Sequence, residues 1–235
     1  MKHLKLFENY KSEEEIHEIC KKYKIENYTI NNGIVDVDGD VDLSFKKLSK
    51  LPLHFGVIDG GFTCSHNKLT SLDGAPNKVN GDFDCRNNQL KSIEGAPNEV
   101  NGSFWCSDNQ LKSLEGVPIK VNGDFSCNYN QLKSLEGAPK EVNGNFNCYN
   151  NELKSFDGLP QVIDRGFECF GNTVYEIYEQ IGSVKHLDEF NMLSIIQEID
   201  GVWSIYKFKL DHFMEDIYGK EFDYSKIESY EIIED

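Results

Sequence analysis

Six of the seven cysteines (Cys64, Cys85, Cys106, Cys127, Cys148 and Cys169) stand 21 residues apart, and Cys20 stands alone upstream. Thiols at regular spacing invite three chemistries: disulfide formation, metal ligation and nucleophilic catalysis. None fits this pattern. The number is odd, no Cys-x-x-Cys pair occurs, and the spacing matches no zinc signature. The ladder cysteines are therefore expected to be reduced packing residues, small and weakly polar, in a compartment where disulfides are rare. His17 and Cys20 share a helical face, but at i,i+3 on an apolar stripe they read as packing rather than a catalytic dyad. The run Asp36-Val-Asp-Gly-Asp-Val-Asp42 is rich in oxygen ligands. Gly39 lies between its acids rather than after the third, so the EF-hand spacing fails, and the run reads as an acidic strand edge with its carboxylates on one side. No phosphate loop, Gly-x-Ser-x-Gly or His-Glu-x-x-His is present. The sequence predicts no catalytic residues, no metal and no cofactor.

The cysteine spacing belongs to a larger period that positions every other candidate residue. A clear copy of the unit is Val79-Asn-Gly-Asp-Phe-Asp-Cys-Arg-Asn-Asn-Gln-Leu-Lys-Ser-Ile-Glu-Gly-Ala-Pro-Asn-Glu99. Units run over 37–57, 58–78, 79–99, 100–120, 121–141 and 142–162, with a partial unit at 163–172. A period of this length predicts a solenoid, in which each unit buries its apolar side against its neighbours. Alternation from Val79 to Cys85 predicts one short strand, with Phe83 and Cys85 inward and Asp82, Asp84 and Arg86 outward. Asn88, three residues after Cys85, is expected to bond backbone groups of its own and the adjoining coil; its loss should strand several such groups. Leu90 and Ile93 turn inward again, and Glu94-Gly95-Ala96-Pro97 makes the return turn.

Stacked strands place equivalent outward positions in columns, and these columns vary while the inward ones do not. Among them Trp105, Tyr129, Tyr149 and Phe170 form an expected aromatic track. Asp82, Asp84, Asp108 and Asp124 make the N-terminal half acidic, with Arg86 the only base in the strand columns and Glu168 near the C-terminal end. Exposed aromatics are typical binding anchors. Carboxylates beside them suit a partner carrying basic residues.

The frame Phe-x-Cys-x-x-Asn-x-Leu resembles the leucine-rich-repeat core, with Phe and Cys in the strand leucine positions. The fuller pattern Asn-Gly-Asp-Phe-x-Cys-x-x-Asn-Gln-Leu-x-Ser-Leu-Glu-Gly-Ala-Pro closely resembles leucine-rich-repeat proteins of bacteria and their tailed phages, over residues 37–172. That resemblance implies an α/β-type repeat solenoid with short parallel strands on a concave face and helical caps, and it implies no defined activity. Residues 1–36 are expected to form an N-terminal helical cap and entry strand, with a capping box at Ser12-Glu-Glu-Glu15. Residues 173–235 are expected to form an acidic, mainly helical C-terminal cap or second binding region, with helix-like spacing around Leu187, Phe190, Leu193 and Ile196 and again at Phe213, Met214 and Ile217.

The formal net charge is −16, distributed as 0 over residues 1–34, −6 over 35–172 and −10 over 173–235 when the charged residues are counted. Direct nucleic-acid binding needs a basic footprint and is not expected. No apolar run approaches membrane-spanning length, and the first residues lack a leader's apolar stretch, so a cytoplasmic location is expected. The leading expectation is a non-enzymatic scaffold that engages a host or defence protein on its concave face, in the manner of an inhibitor. Two further readings stay open. One is an acidic decoy for a nucleic-acid site; the other is a carbohydrate or small-ligand reader on the aromatic track.

Overall fold

Each 21-residue unit crosses two parallel sheets, and the computed structural model winds them into a β-solenoid of roughly six turns. The structure describes residues 11–183, 185 and 187–234. Residues 1–10, part of the expected N-terminal cap and the stretch read for a leader, lie outside the described residues. One sheet has eight strands and carries the Lys78–Val79, Glu99–Val100, Lys120–Val121 and Glu141–Val142 strands. The other has seven, among them Phe83–Asp84, Phe104–Trp105, Phe125–Ser126 and Phe146–Asn147. Register follows the period: Phe83 pairs Phe104, Phe104 pairs Phe125, and Val121 pairs Val142.

The single strand expected from Val79 to Cys85 is thus two strands in different sheets, with a corner at Asn80-Gly81 between them. At this corner the coils come close together. A Cβ added to Gly102 would lie 2.7 Å from the carbonyl carbon of Gly81, and one on Gly144 would lie 2.6 Å from that of Gly123. The Gly81 and Gly102 N–H groups donate straight to Gly60 and Gly81, at 2.8 and 3.0 Å. Only a residue without a side chain permits that contact. The four acids of the Asp36–Asp42 run are divided by a similar break, since Gly39 adopts φ +135° and separates strand Ile34–Val37 from strand Val41–Asp42.

The "α/β-type" expectation does not hold within the repeat. Among the described residues no helix lies between Tyr23 and Tyr175; after its strands and corners each unit retains only a short Leu-x-x-Leu/Ile segment closed by Gly and Pro, too short for a helix. Helix α1, Glu13–Tyr23, does start on the Ser12 capping box, with Ser12 N–H donating to Glu15 and Glu15 N–H to Ser12 Oγ. Its Ile16 and Cys20 are buried. A hairpin, Tyr28–Asn31 with Ile34–Val37, then joins the eight-stranded sheet.

The interior is a stack of identical rungs. Phe62, Phe83, Phe104, Phe125, Phe146 and Phe167 follow one another at centroid spacings of 5.9, 5.1, 5.6, 5.3 and 6.0 Å, each ring contact contributing about 0.5–1.5 kcal/mol beyond area burial. All seven cysteines are free and buried. The asparagine column closes the backbone between rungs. Asn88 accepts from Leu69 N–H at 2.9 Å and donates to the carbonyls of Cys64, Cys85 and Arg86 at 3.1, 3.1 and 3.2 Å. The partner coil is the preceding one. Each of those carbonyls has a second donor: Asn67, Asn109 and His66 N–H respectively. Removing Asn88 therefore strands one group, Leu69 N–H, rather than the several expected.

The C-terminal region is helical in part, with a three-stranded sheet between and after its helices. Helices α2, Tyr175–Ile181, and α3, Leu187–Met192, are short. Leu193 lies outside α3, and Ile196 starts a strand. Ile196–Ile199 pairs antiparallel with Val202–Tyr206, which pairs parallel with Glu231–Ile233. Helix α4, Lys207–Tyr218, follows the hairpin. The turn is Asp200-Gly201, both at positive φ, a dipeptide that favours this hairpin type. The region is fastened to the last coils by Tyr230 Oη donating to Lys154 O at 2.7 Å, Asn191 Nδ2 to Phe156 O at 2.9 Å, and edge contacts of Phe190 with Phe156 and of Tyr178 with Phe167. Among the described residues no helix is long and apolar enough to cross a membrane.

Two outcomes follow. Asn88→Leu is expected to lower stability by about 1–3 kcal/mol, the penalty of one unsatisfied buried N–H, read by urea unfolding; no loss would mean that the column does not hold the coils together. The second concerns pH. Burial pushes Cys169 up to about 12 and the other five ladder thiols upward as well. The folded state then keeps protons that the unfolded chain loses near pH ~8.5, so this stability is fully present below that pH and declines above it. Six thiols at about 1.4 kcal/mol per pH unit each give a limiting slope of about 8 kcal/mol per unit above pH ~9.5. Urea melts between pH 8 and 10.5 measure it, and a flat profile would contradict the buried ladder.

Candidate functional site

The outer face of the seven-stranded sheet and the turn that follows it hold all ten residues singled out by the sequence, in three groups. Asp82 and Asp124 sit at the corner before each Phe. Asp82 Oδ1 accepts from Ser103 N–H, and Asp124 Oδ1 from Asn145 N–H, both at 2.7 Å. Asp40 and Asn145 do the same for Gly61 and Gly166, at 2.7 and 3.0 Å. At these corners a side-chain oxygen replaces the backbone acceptor of an ordinary ladder. Asp82 and Asp124 are thus joints between coils, with one oxygen each already engaged.

Asp84, Arg86 and Trp105 form the second group. Asp84 was expected to point freely outward, yet it is only 8 % exposed. Arg86 covers it: Nε and Nη2 donate to the two Asp84 oxygens at 3.0 and 2.9 Å, and the Arg86 backbone N–H donates at 3.0 Å. The guanidinium in turn lies 4.8 Å from the Trp105 ring centre, on the next coil. A two-pronged carboxylate bond with a cation–π contact is a favourable setting for a guanidinium. The triad satisfies itself, so Asp84 is not an unpaired acid waiting for a partner.

The third group is aromatic. Tyr129 meets Tyr149 edge to face, with centroids 5.5 Å apart at 84°; Tyr149 stacks on Phe170 at 4.4 Å and 8°. Tyr129 is 50 % exposed and Phe170 43 %. Trp105 is not in contact with these rings, because Ser126 and Asn128 occupy the intervening positions, so the expected track is broken. Burial raises the Tyr149 hydroxyl pKa, with Tyr129, Glu168 and Asp108 adding in that order. Glu168 stands two residues before Phe170 on its strand, and Asp108 holds the Tyr129 position one coil earlier.

Tyr129 and Asp108 belong to a column held in the left-handed region: His66 φ 53°, Asn87 54°, Asp108 55°, Tyr129 54° and Asn150 52°. The conformation keeps the ladder going past the strand, since Asn87, Asp108 and Tyr129 N–H donate to Ser107, Asn128 and Tyr149 carbonyls. Asn and Asp tolerate this backbone far better than Tyr. The same column holds Phe45, at φ 56° and 69 % exposed, stacked on His66 at 4.2 Å. Sequence reasoning missed this pair, although carrying the 21-residue frame one unit upstream of His66 would have found it.

In the Asp36–Asp42 run three of the four acids accept a backbone N–H: Asp36 from Val57, Asp40 from Gly61 and Asp42 from Ser44. Among the described residues no group of His, Cys, Asp and Glu is arranged to hold a metal ion. Comparison with protein-family models, curated proteins and solved structures returns no match.

Tyr129→Asn is expected to change stability by less than about 0.5 kcal/mol, because relief of a left-handed residue, about 1 kcal/mol, offsets one half-exposed ring contact of about 0.5–1 kcal/mol. Urea unfolding checks it. A loss above about 1.5 kcal/mol would make the ring a packing element rather than a surface one.

Proposed function

We propose that the chain is a non-enzymatic binding scaffold, a leucine-rich-repeat protein of bacterial or phage origin that engages a host or defence protein in the cytoplasm of the producing or infected cell. The face after the Phe-x-Cys strands is its concave recognition surface. The ends act as caps, and the acidic C-terminal region offers a second contact. The observation that carries this reading is the cluster Tyr129–Tyr149–Phe170. Three rings lie together on one face, two of them strongly exposed, and one stands on a backbone that disfavours it. Apolar anchors of this kind, ringed by polar groups, carry much of the energy of protein interfaces. Arg86 and Trp105 extend the surface toward the N-terminus.

The alternatives have less support. A decoy of nucleic acid needs free carboxylates over a long surface, whereas Asp82 and Asp124 are bonded to backbone and Asp84 to Arg86. A carbohydrate reader needs open ring faces, and Phe170 covers one face of Tyr149.

The test is capture of partners from host lysate by full-length wild type and by Tyr129→Asn/Phe170→Ser, once circular dichroism shows both equally folded. A partner bound by wild type and reduced at least tenfold by the double substitution supports the reading. Equal capture by both would move the contact off this face.

A further inference from the structure

The Asp84–Arg86–Trp105 triad and the aromatic cluster are related by the repeat. Glu168 stands four units on from Asp84, and Phe170 four units on from Arg86; Tyr149 occupies the Arg86 position of the unit between. The C-terminal half thus keeps the carboxylate and replaces the cation with rings. Asp108, exposed on the left-handed column, holds the Tyr129 position one coil earlier and lies within the electrostatic reach of Arg86. Among the described residues no lysine or arginine lies over Tyr129, Tyr149 or Phe170, and none forms an ion pair with Asp108 or Glu168. Glu168 and three rings therefore face solvent together without the cation that balances Asp84 four coils earlier.

We propose that the cluster of Tyr129, Tyr149 and Phe170 with Glu168 is a receptor for an arginine side chain of the protein partner. The inference rests on the reading of this face as a protein-binding surface and names the chemistry it would recognise. Arginine fits better than lysine for two reasons. A planar guanidinium can stack on a ring face and still present a fork to a carboxylate, which a compact ammonium cannot do. The chain also displays that arrangement within itself, where Arg86 bonds Asp84 through two nitrogens and lies over Trp105. Rings and acids reinforce each other, because a ring face attracts cations and the charge excess of the face draws them in.

The experiment is a titration of full-length protein carrying 13C-labelled tyrosine rings with a capped pentapeptide, acetyl-Gly-Gly-Arg-Gly-Gly-amide, against its lysine counterpart. Tyr129→Asn assigns the Tyr129 signal. The expected result is saturable movement of the Tyr129 and Tyr149 ring signals with the arginine peptide. The lysine peptide should bind at least fivefold more weakly, and Glu168→Gln should weaken the arginine peptide at least threefold while the other tyrosine signals stay in place. No movement at Tyr129 and Tyr149 would overturn the proposal, as would an equal response to both peptides, which would signify only surface charge. A partner captured through this face and undisturbed by excess arginine peptide would also overturn it while leaving the scaffold reading intact. Saturable, arginine-selective binding by a protein that captures no partner would support it and count against the scaffold reading alone.

Discussion

A coil of 21 residues with only two residues of strand on each side leaves many backbone groups at corners, where no regular ladder serves them. The asparagine three places after each ladder cysteine supplies what the sheets cannot. Its oxygen accepts a leucine N–H of the preceding coil, and its nitrogen donates to the cysteine carbonyls of both coils. The carbonyls of Cys64, Cys85, Cys106, Cys127 and Cys148 each receive asparagines from two coils, so the columns are cross-braced. This geometry works only at one coil spacing. An added residue in any unit would carry the amide away from the groups it must meet, which gives a physical reason for a period without insertions. In the first unit Lys46 occupies the asparagine position, and its N–H is taken up by Asn67 of the following coil. A unit that cannot brace a predecessor belongs at the end of the stack.

The corner glycines and acids obey the same constraint. Where the corners of successive coils approach each other the side chain is removed, and one residue later an oxygen is added to accept a backbone N–H. Part of the negative charge of the array is therefore structural. Asp40, Asp82 and Asp124 continue a hydrogen-bond column that Ser103 and Asn145 carry without charge. Acidity alone is a poor guide to a binding surface in this chain, because one residue type serves two purposes in neighbouring columns.

Positions free of these duties show a division of the face. Toward the N-terminus Arg86 balances Asp84 and lies over Trp105; toward the C-terminus three rings are left partly open beside Glu168. The backbone contributes to the contrast. Left-handed φ at Asp108 and Tyr129 keeps main-chain bonds in the ladder while the side chains stay exposed. A tyrosine there is disfavoured locally, and its contact with Tyr149 offsets part of that cost.

Repetition made the solenoid, its inward phenylalanines, cysteines and leucines, and the role of the asparagines legible in the sequence, because 21-residue periodicity reports each contact several times over. The helix at Ser12–Tyr23 was legible through its capping box, a local signal. What needed the tertiary structure depends on contacts between coils or between distant segments. The turn at Asn80-Gly81 was visible, but its splitting of one strand between two sheets follows from the approach of Gly81 to Gly60. The hairpin at Asp200-Gly201 carried a local signal that the helical spacing of its flanks obscured. Outward alternation correctly placed Asp82, Asp84 and Asp124 outside the core, yet whether an outward carboxylate is free, bonded to the next coil or covered by Arg86 is set 2 to 21 residues away. Sequence determines which side of the sheet a residue takes, since strand geometry alternates; only the assembled coils decide which outward groups remain unpaired.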